Sequence, residues 1–158
     1  MITEATFAAV SGFMFAAWQK INAYTVTKNP PNPLTVEGTF NIFWLWPHWE
    51  AARKIIDGQV TSAWRSDALN AKIGGVANSD HTKGLAVDIK PGAPWTLYGA
   101  AQEIRDAISK GKLGNVRQCI IEYDQGIIHL GYYPSNVRKA ETEFLSRTDR
   151  NTYKTWTA

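Results

Sequence analysis

Ser79-Asp80-His81-Thr82-Lys83-Gly84-Leu85-Ala86-Val87-Asp88 is the stretch on which the reading of this chain turns. Its second half alternates. Leu85, Val87 and Ile89 fall on one side of an extended strand, and Ala86, Asp88 and Lys90 fall on the other, because side chains repeat every two residues along a strand. A strand that lays its apolar side on a core therefore presents Asp88 on the opposite face, with the small Ala86 leaving room beside it. The first half ends a Gly/Asn/Ser-rich loop, and Gly84 permits a sharp backbone turn. Such a turn can aim His81 and Asp88 at one point, whereas a straight strand would hold them about 20 Å or more apart. An imidazole and a carboxylate so placed are two of the three protein ligands of a catalytic zinc, which keeps a fourth position open. His129, in the middle of the last strand pair, is the candidate third ligand.

Working outward, Pro91, Gly92 and Pro94 end the strand, and Leu97, Ala101, Ile104 and Ile108 mark an amphipathic helix closed by Gly111. Two apolar runs, residues 119–123 and 127–133, flank Asp124-Gln125-Gly126, a hairpin signature. Residues 134–158 read as a polar, charged tail with Phe144, Leu145, Tyr153 and Trp156 as anchors. Upstream, residues 59–64 are β-prone, residues 65–70 read as a turn entering a helical or irregular segment, and Gly74-Gly75 break it. The aromatic cluster Phe40, Phe43, Trp44, Trp46 and Trp49 reads as core and packing lid. Pro47 suits a helix first turn, with Trp49, Ala52 and Ile56 on one face and Gly58 at the end. His48 reads as a helix-start or lid residue and Cys119 as a buried small hydrophobe. Residues 28–38, with Pro30, Pro31 and Pro33, form a loop or linker. Before it, Phe7, Val10, Met14, Trp18 and Ile21 make an apolar helical stripe that reads as core packing. The expected division is an N-terminal helix and Pro-rich linker over residues 1–36 and a main domain over residues 37–158.

The 158 residues carry a net charge of +3, with 44% apolar and 20% charged side chains, enough apolar surface for a sizeable core and too little charge for disorder. Nucleic-acid binding finds no groove-reading motif and no dense Lys/Arg clustering. One cysteine and three histidines exclude a disulfide framework and an all-thiolate zinc site. No run of eighteen or more apolar residues indicates a membrane span, and no basic start marks a clear signal peptide. A monomer is the expected state.

The run Ser79-x-His81-x-x-Gly84-x-Ala86-x-Asp88 resembles the signature of the D-alanyl-D-alanine carboxypeptidase family of zinc metallopeptidases, a group that includes many phage endolysins. Thr61-Ser62-Ala63-Trp64-Arg65-Ser66-Asp67-Ala68-Leu69-Asn70, followed by Gly74-Gly75, looks like that family's strand and arginine turn. Ile120-Ile121-Glu122-Tyr123 and Ile127-Ile128-His129-Leu130-Gly131-Tyr132 are similar to its glutamate strand and terminal metal-histidine strand. The likeness covers about residues 40–133. It implies an α+β fold of the small hedgehog/DD-peptidase type, with the site on an antiparallel sheet. It also implies zinc held by His81, Asp88 and His129, Arg65 on the substrate carboxylate or oxyanion, and Ser79 fixing the loop or a ligand.

The general base rests between two acids. Several members of the family carry a carboxylate three residues before the last histidine, where this chain has Gly126. Glu122 and Asp124 remain. A two-residue or four-residue hairpin loop sets Glu122 opposite His129 on one face, and a three-residue loop turns it away. Glu122 is the choice, with Asp124 the alternative, because the phage-type branch carries a glutamate on this strand. The function implied is hydrolysis of amide bonds in bacterial peptidoglycan peptides, as carboxypeptidase or endopeptidase, by a protein delivered to the periplasm or wall from a virion or phage-infected host. The alternative is a wall-binding or structural virion protein that keeps the fold without strong catalysis.

Overall fold

The computed structural model describes residues 35–135, 137, 141–149 and 152–156. The apolar stripe expected between Phe7 and Ile21 lies outside these residues. The fold is α+β, as the sequence led us to expect.

Helix α1, Val36–Ile55, starts at Thr35, whose hydroxyl accepts from the Gly38 amide at 3.0 Å. Glu37 in the first turn and Arg53 and Lys54 in the last complement the helix dipole. Two expectations are corrected here. Residues 36–38 are helical and not loop, and Pro47 lies inside the helix and not in its first turn. An interior proline costs about 3 kcal/mol. Burial of Leu45, Trp46, Trp49 and Ala52 on the same helix, at about 1.5–3 kcal/mol for each large apolar side chain, outweighs it. His48 is thus a mid-helix residue, its ring 6.4 Å from that of Tyr132.

The chain forms two compact units. The first comprises Ala63–Leu85 with the turns of α1 up to Trp46. It holds α2, Asp67–Lys72, capped by Ser66, which accepts from the Leu69 amide at 3.2 Å. It also holds a 3-10 helix, Asp80–Lys83, closed by Gly84 at φ +69°. A Cβ on Gly84 would lie 2.6 Å from the Gly38 carbonyl oxygen, so both the conformation and the contact demand glycine. Asn41 pins the same turn by donating to the Lys83 carbonyl at 2.8 Å.

The second unit comprises Pro47–Ser62 and the chain from Ala86 onward. Its strands are β1 (Gln59–Ser62), β2 (Ala86–Lys90), β3 (Val116–Glu122), β4 (Ile127–Tyr132), β5 (Glu143–Arg147) and β6 (Tyr153–Thr155), in sheet order β1-β2-β4-β3-β5-β6. Every neighbouring pair is antiparallel except β3 with β5. Val87, Ile89, Cys119, Ile121, Ile128 and Leu130 share one face and are fully buried. Helix α3, Leu97–Ser109, lies against β3 and β4 and buries Ala100, Ala101, Ile104 and Ala107. Burial pushes the Cys119 thiol up to about 12, which suits an inert packing residue.

The segment read as a polar tail adds two strands to the sheet. Phe144 of β5 and Trp156 just past β6 lie edge to face at 6.0 Å, and the Arg105 guanidinium of α3 sits 5.2 Å from each ring centroid. These cation–π contacts tie the C-terminal strands to α3.

Candidate metal centre and active site

The β2–β4 register sets Asp88 directly opposite His129, and Asp88 Oδ1 lies 2.8 Å from His129 Nδ1. Both occupy the face away from Val87, Ile89, Ile128 and Leu130, as the alternation of residues 85–90 requires. That face is not open to water at this point: Asp88 is 3% and His129 9% exposed. A buried carboxylate demands a partner of opposite charge or strong hydrogen bonds, and the imidazole supplies one.

The β3–β4 register differs from the expected one. Ile120, not Glu122, stands opposite His129, and Glu122 pairs with Ile127. The turn takes four residues, as one of the expected loops does, but it runs from Tyr123 to Gly126, one position earlier than the loop that sets Glu122 opposite His129, with Gly126 at φ +68° and its amide donating to the Glu122 carbonyl at 2.9 Å. The displacement is two residues, an even number, so Glu122 keeps the face of Asp88 and His129 as a diagonal neighbour of the histidine. Glu122 is buried, at 6% exposure. Burial, and then the charge of Asp88, push its carboxyl above the usual carboxylate range, against the opposing pull of His129 and Arg147.

Arg147 is the residue the sequence reading missed. Parallel pairing of β3 with β5 sets it beside Glu122, and its Nη2 donates to Glu122 Oε2. Its Nε lies 3.6 Å from Asp124 Oδ1. Asp124 itself sits in the exposed turn. The only signal in the sequence is the short alternation of Glu143, Leu145 and Arg147 against Phe144 and Ser146, too brief to announce a strand.

Within the first unit, His81 is 2% exposed. Ser79 caps its turn, the hydroxyl accepting from the His81 amide at 3.3 Å. The Arg65 amide donates to the His81 carbonyl at 3.1 Å, so the strand-to-helix turn carrying Arg65 runs beside the histidine. His81 Nδ1 contacts the Ala63 carbonyl oxygen. A carbonyl only accepts, so this contact selects the tautomer protonated at Nδ1 and puts the ring's lone pair on Nε2, where it can coordinate. A backbone carbonyl on the second ring nitrogen is the usual support of a metal-binding histidine.

Among the described residues, His81 in the first unit and Asp88 and His129 in the second are buried side chains of the types that hold a metal ion. The donor chemistry fits: two imidazoles and a carboxylate suit a divalent transition metal, and the one cysteine of the chain, Cys119, lies on the sheet face opposite Asp88 and His129. A search of the curated proteins finds no match. The family model described as Peptidase M15 matches residues 25–119. The matched segment contains Arg65, Ser79, His81 and Asp88 and stops short of Glu122, His129 and Arg147. It spans more than half of the chain, and the chain therefore belongs to the Peptidase M15 family of metal-dependent peptidases.

Proposed function

We propose that this protein is a zinc-dependent peptidase that hydrolyses amide bonds in the peptides of bacterial peptidoglycan, as a carboxypeptidase or endopeptidase, in phage-associated lysis of the cell wall. The observation that carries the reading is the shared sheet face of Asp88, His129 and Glu122 in a chain of the M15 family. His81, Asp88 and His129 would hold the ion. Bound there, zinc supplies Lewis acidity, polarising a carbonyl and lowering the pKa of water, because two neutral imidazoles and one carboxylate leave the centre net positive.

The chain's own residues supply the rest. Glu122 accepts the proton of the attacking water and returns it to the leaving amine, a role favoured by a carboxyl whose proton affinity burial has raised above the usual carboxylate range. Asp124, at the turn, lacks that enclosure. Arg65 presents a planar fork to the substrate carboxylate or the developing oxyanion, and Ser79 fixes the turn that carries His81. The mild net charge of +3 favours contact with an anionic wall, and the resemblance to phage endolysins supports arrival from a virion or an infected host. Gly126, where other branches of the family carry a carboxylate, favours a second reading: a wall-binding virion protein without strong catalysis. No described helix is long and apolar enough to cross a membrane.

Digestion of purified peptidoglycan with and without a chelator, followed by mass spectrometry of the released fragments, tests the proposal. Release of stem peptides that stops with chelator and returns with zinc is expected, and the fragment masses name the bond. Activity indifferent to the chelator overturns the zinc assignment, and wall binding without release selects the second reading.

A further inference from the structure

Glu122 is held from one side only. Two donors converge on its Oε2: the Arg147 guanidinium and Gln125 Nε2, the latter at 2.8 Å. The other oxygen, Oε1, takes no hydrogen bond from the described residues. Arg147 is itself fixed by the sheet. β5 pairs with β3 in a register that sets Glu122 beside Arg147, and the Tyr123 amide donates to the Arg147 carbonyl at 2.9 Å. β6 adds Tyr153, whose hydroxyl accepts from Arg147 Nη1 at 3.3 Å and whose ring lies 5.8 Å from the guanidinium carbon. Both strands lie outside the segment that matches the family model.

We propose that Arg147 is a positioning residue for Glu122: anchored by β5 and β6, it clamps Oε2 and so presents Oε1 as the oxygen that exchanges the proton. The inference rests on the assignment of Glu122 as general base. A carboxylate with one oxygen fixed by a charge-assisted hydrogen bond has little freedom to rotate, and a displacement of the order of 1 Å at a reacting group costs about a hundredfold in rate. The C-terminal strand pair, on this account, completes the site and does more than extend the sheet.

The test is steady-state kinetics of the zinc-loaded full chain on a soluble stem peptide identified by the wall digestion, for wild type, Arg147→Met, Arg147→Lys and Glu122→Gln. Zinc content and thermal unfolding are measured on each. Arg147→Met is expected to lower kcat about 10- to 100-fold with KM little changed and zinc retained, and Arg147→Lys to recover part of the loss through its single charged donor. Wild-type kcat in folded Arg147→Met overturns the inference, as does a loss that falls on KM alone. Should Arg147→Met fail to fold, folded Arg147→Lys decides: a lowered kcat at unchanged KM supports the clamp, and wild-type kinetics overturns it. Near-normal activity in Glu122→Gln instead removes the base assignment beneath it, and an inactive zinc-loaded wild type removes the peptidase reading itself, so the failures are distinguishable.

Discussion

Asp88 and His129 meet across the β2–β4 pair with Oδ1 2.8 Å from Nδ1, and strand register alone brings them there. A carboxylate and an imidazole both buried at the centre of a sheet make a poor choice for stability by itself, since burying a carboxylate costs several kcal/mol in lost solvation. The proposed metal role gives the burial a purpose: donors held in a low-dielectric site coordinate a cation strongly.

Metal should therefore stabilise the fold. Zinc at about 100 times its dissociation constant adds about 2.7 kcal/mol, a rise of roughly 5–10 °C in melting temperature for a domain of this size. Thermal unfolding with zinc and with chelator measures it. The increment should vanish in Asp88→Ala and in His81→Ala, and an increment unchanged in both contradicts the ligand assignment.

Glu122→Gln should keep zinc and lose turnover by about a hundredfold or more, the usual worth of a general base. Wall digestion beside an elemental zinc assay separates the two effects. Turnover close to that of the wild type would move the base elsewhere, with Asp124→Asn the next variant to measure.

The proton affinity of Glu122 gives a pH signature in the chelated protein. Its carboxyl lies above the ordinary value of 4.5 because of burial first and the Asp88 charge second. A group raised in this way contributes stability at pH below its unfolded value, and that contribution is lost as pH rises through the folded value. Wild type should therefore lose stability relative to Glu122→Gln as pH increases from about 4.5 toward neutrality. Urea unfolding of both proteins across this range checks it, and a difference that grows in the other direction refutes the direction of the shift.

Gly84→Ala should damage the turn that carries His81. The left-handed conformation costs a non-glycine residue about 1–2 kcal/mol, and the added Cβ would meet the Gly38 carbonyl oxygen at 2.6 Å. Chemical denaturation should show a loss of at least that size, and zinc titration a weaker affinity. Wild-type values in both would mean that the turn tolerates a side chain and that His81 is held by other contacts.

Much of this was legible in the residues. The alternation of Leu85, Val87 and Ile89 against Ala86 and Asp88 placed the acid on its face, because a period of two leaves a strand no other choice. The hairpin around Gly126 was legible as well, but its register was not. A four-residue loop can begin at Tyr123 or at Asp124, and the even displacement that resulted preserved the face of Glu122 while changing its partner. Helix α1 ran through Pro47 because burial of Trp46 and Trp49 exceeds what one missing hydrogen bond costs. Arg147 stayed hidden for a different reason. Its role depends on β5 pairing in parallel with a strand far away in the chain, and a five-residue segment with charges at both ends carries no local trace of that partner.

The most direct test of the central claim follows occupancy and chemistry in the same sample: metal-free protein is titrated with zinc while bound zinc and the rate of peptide release from purified peptidoglycan are measured together. The account predicts a rate that rises in proportion to bound zinc and levels off at about one ion per chain, as expected for a single site with an open coordination position. A rate independent of occupancy, or full occupancy with no peptide released, would contradict it.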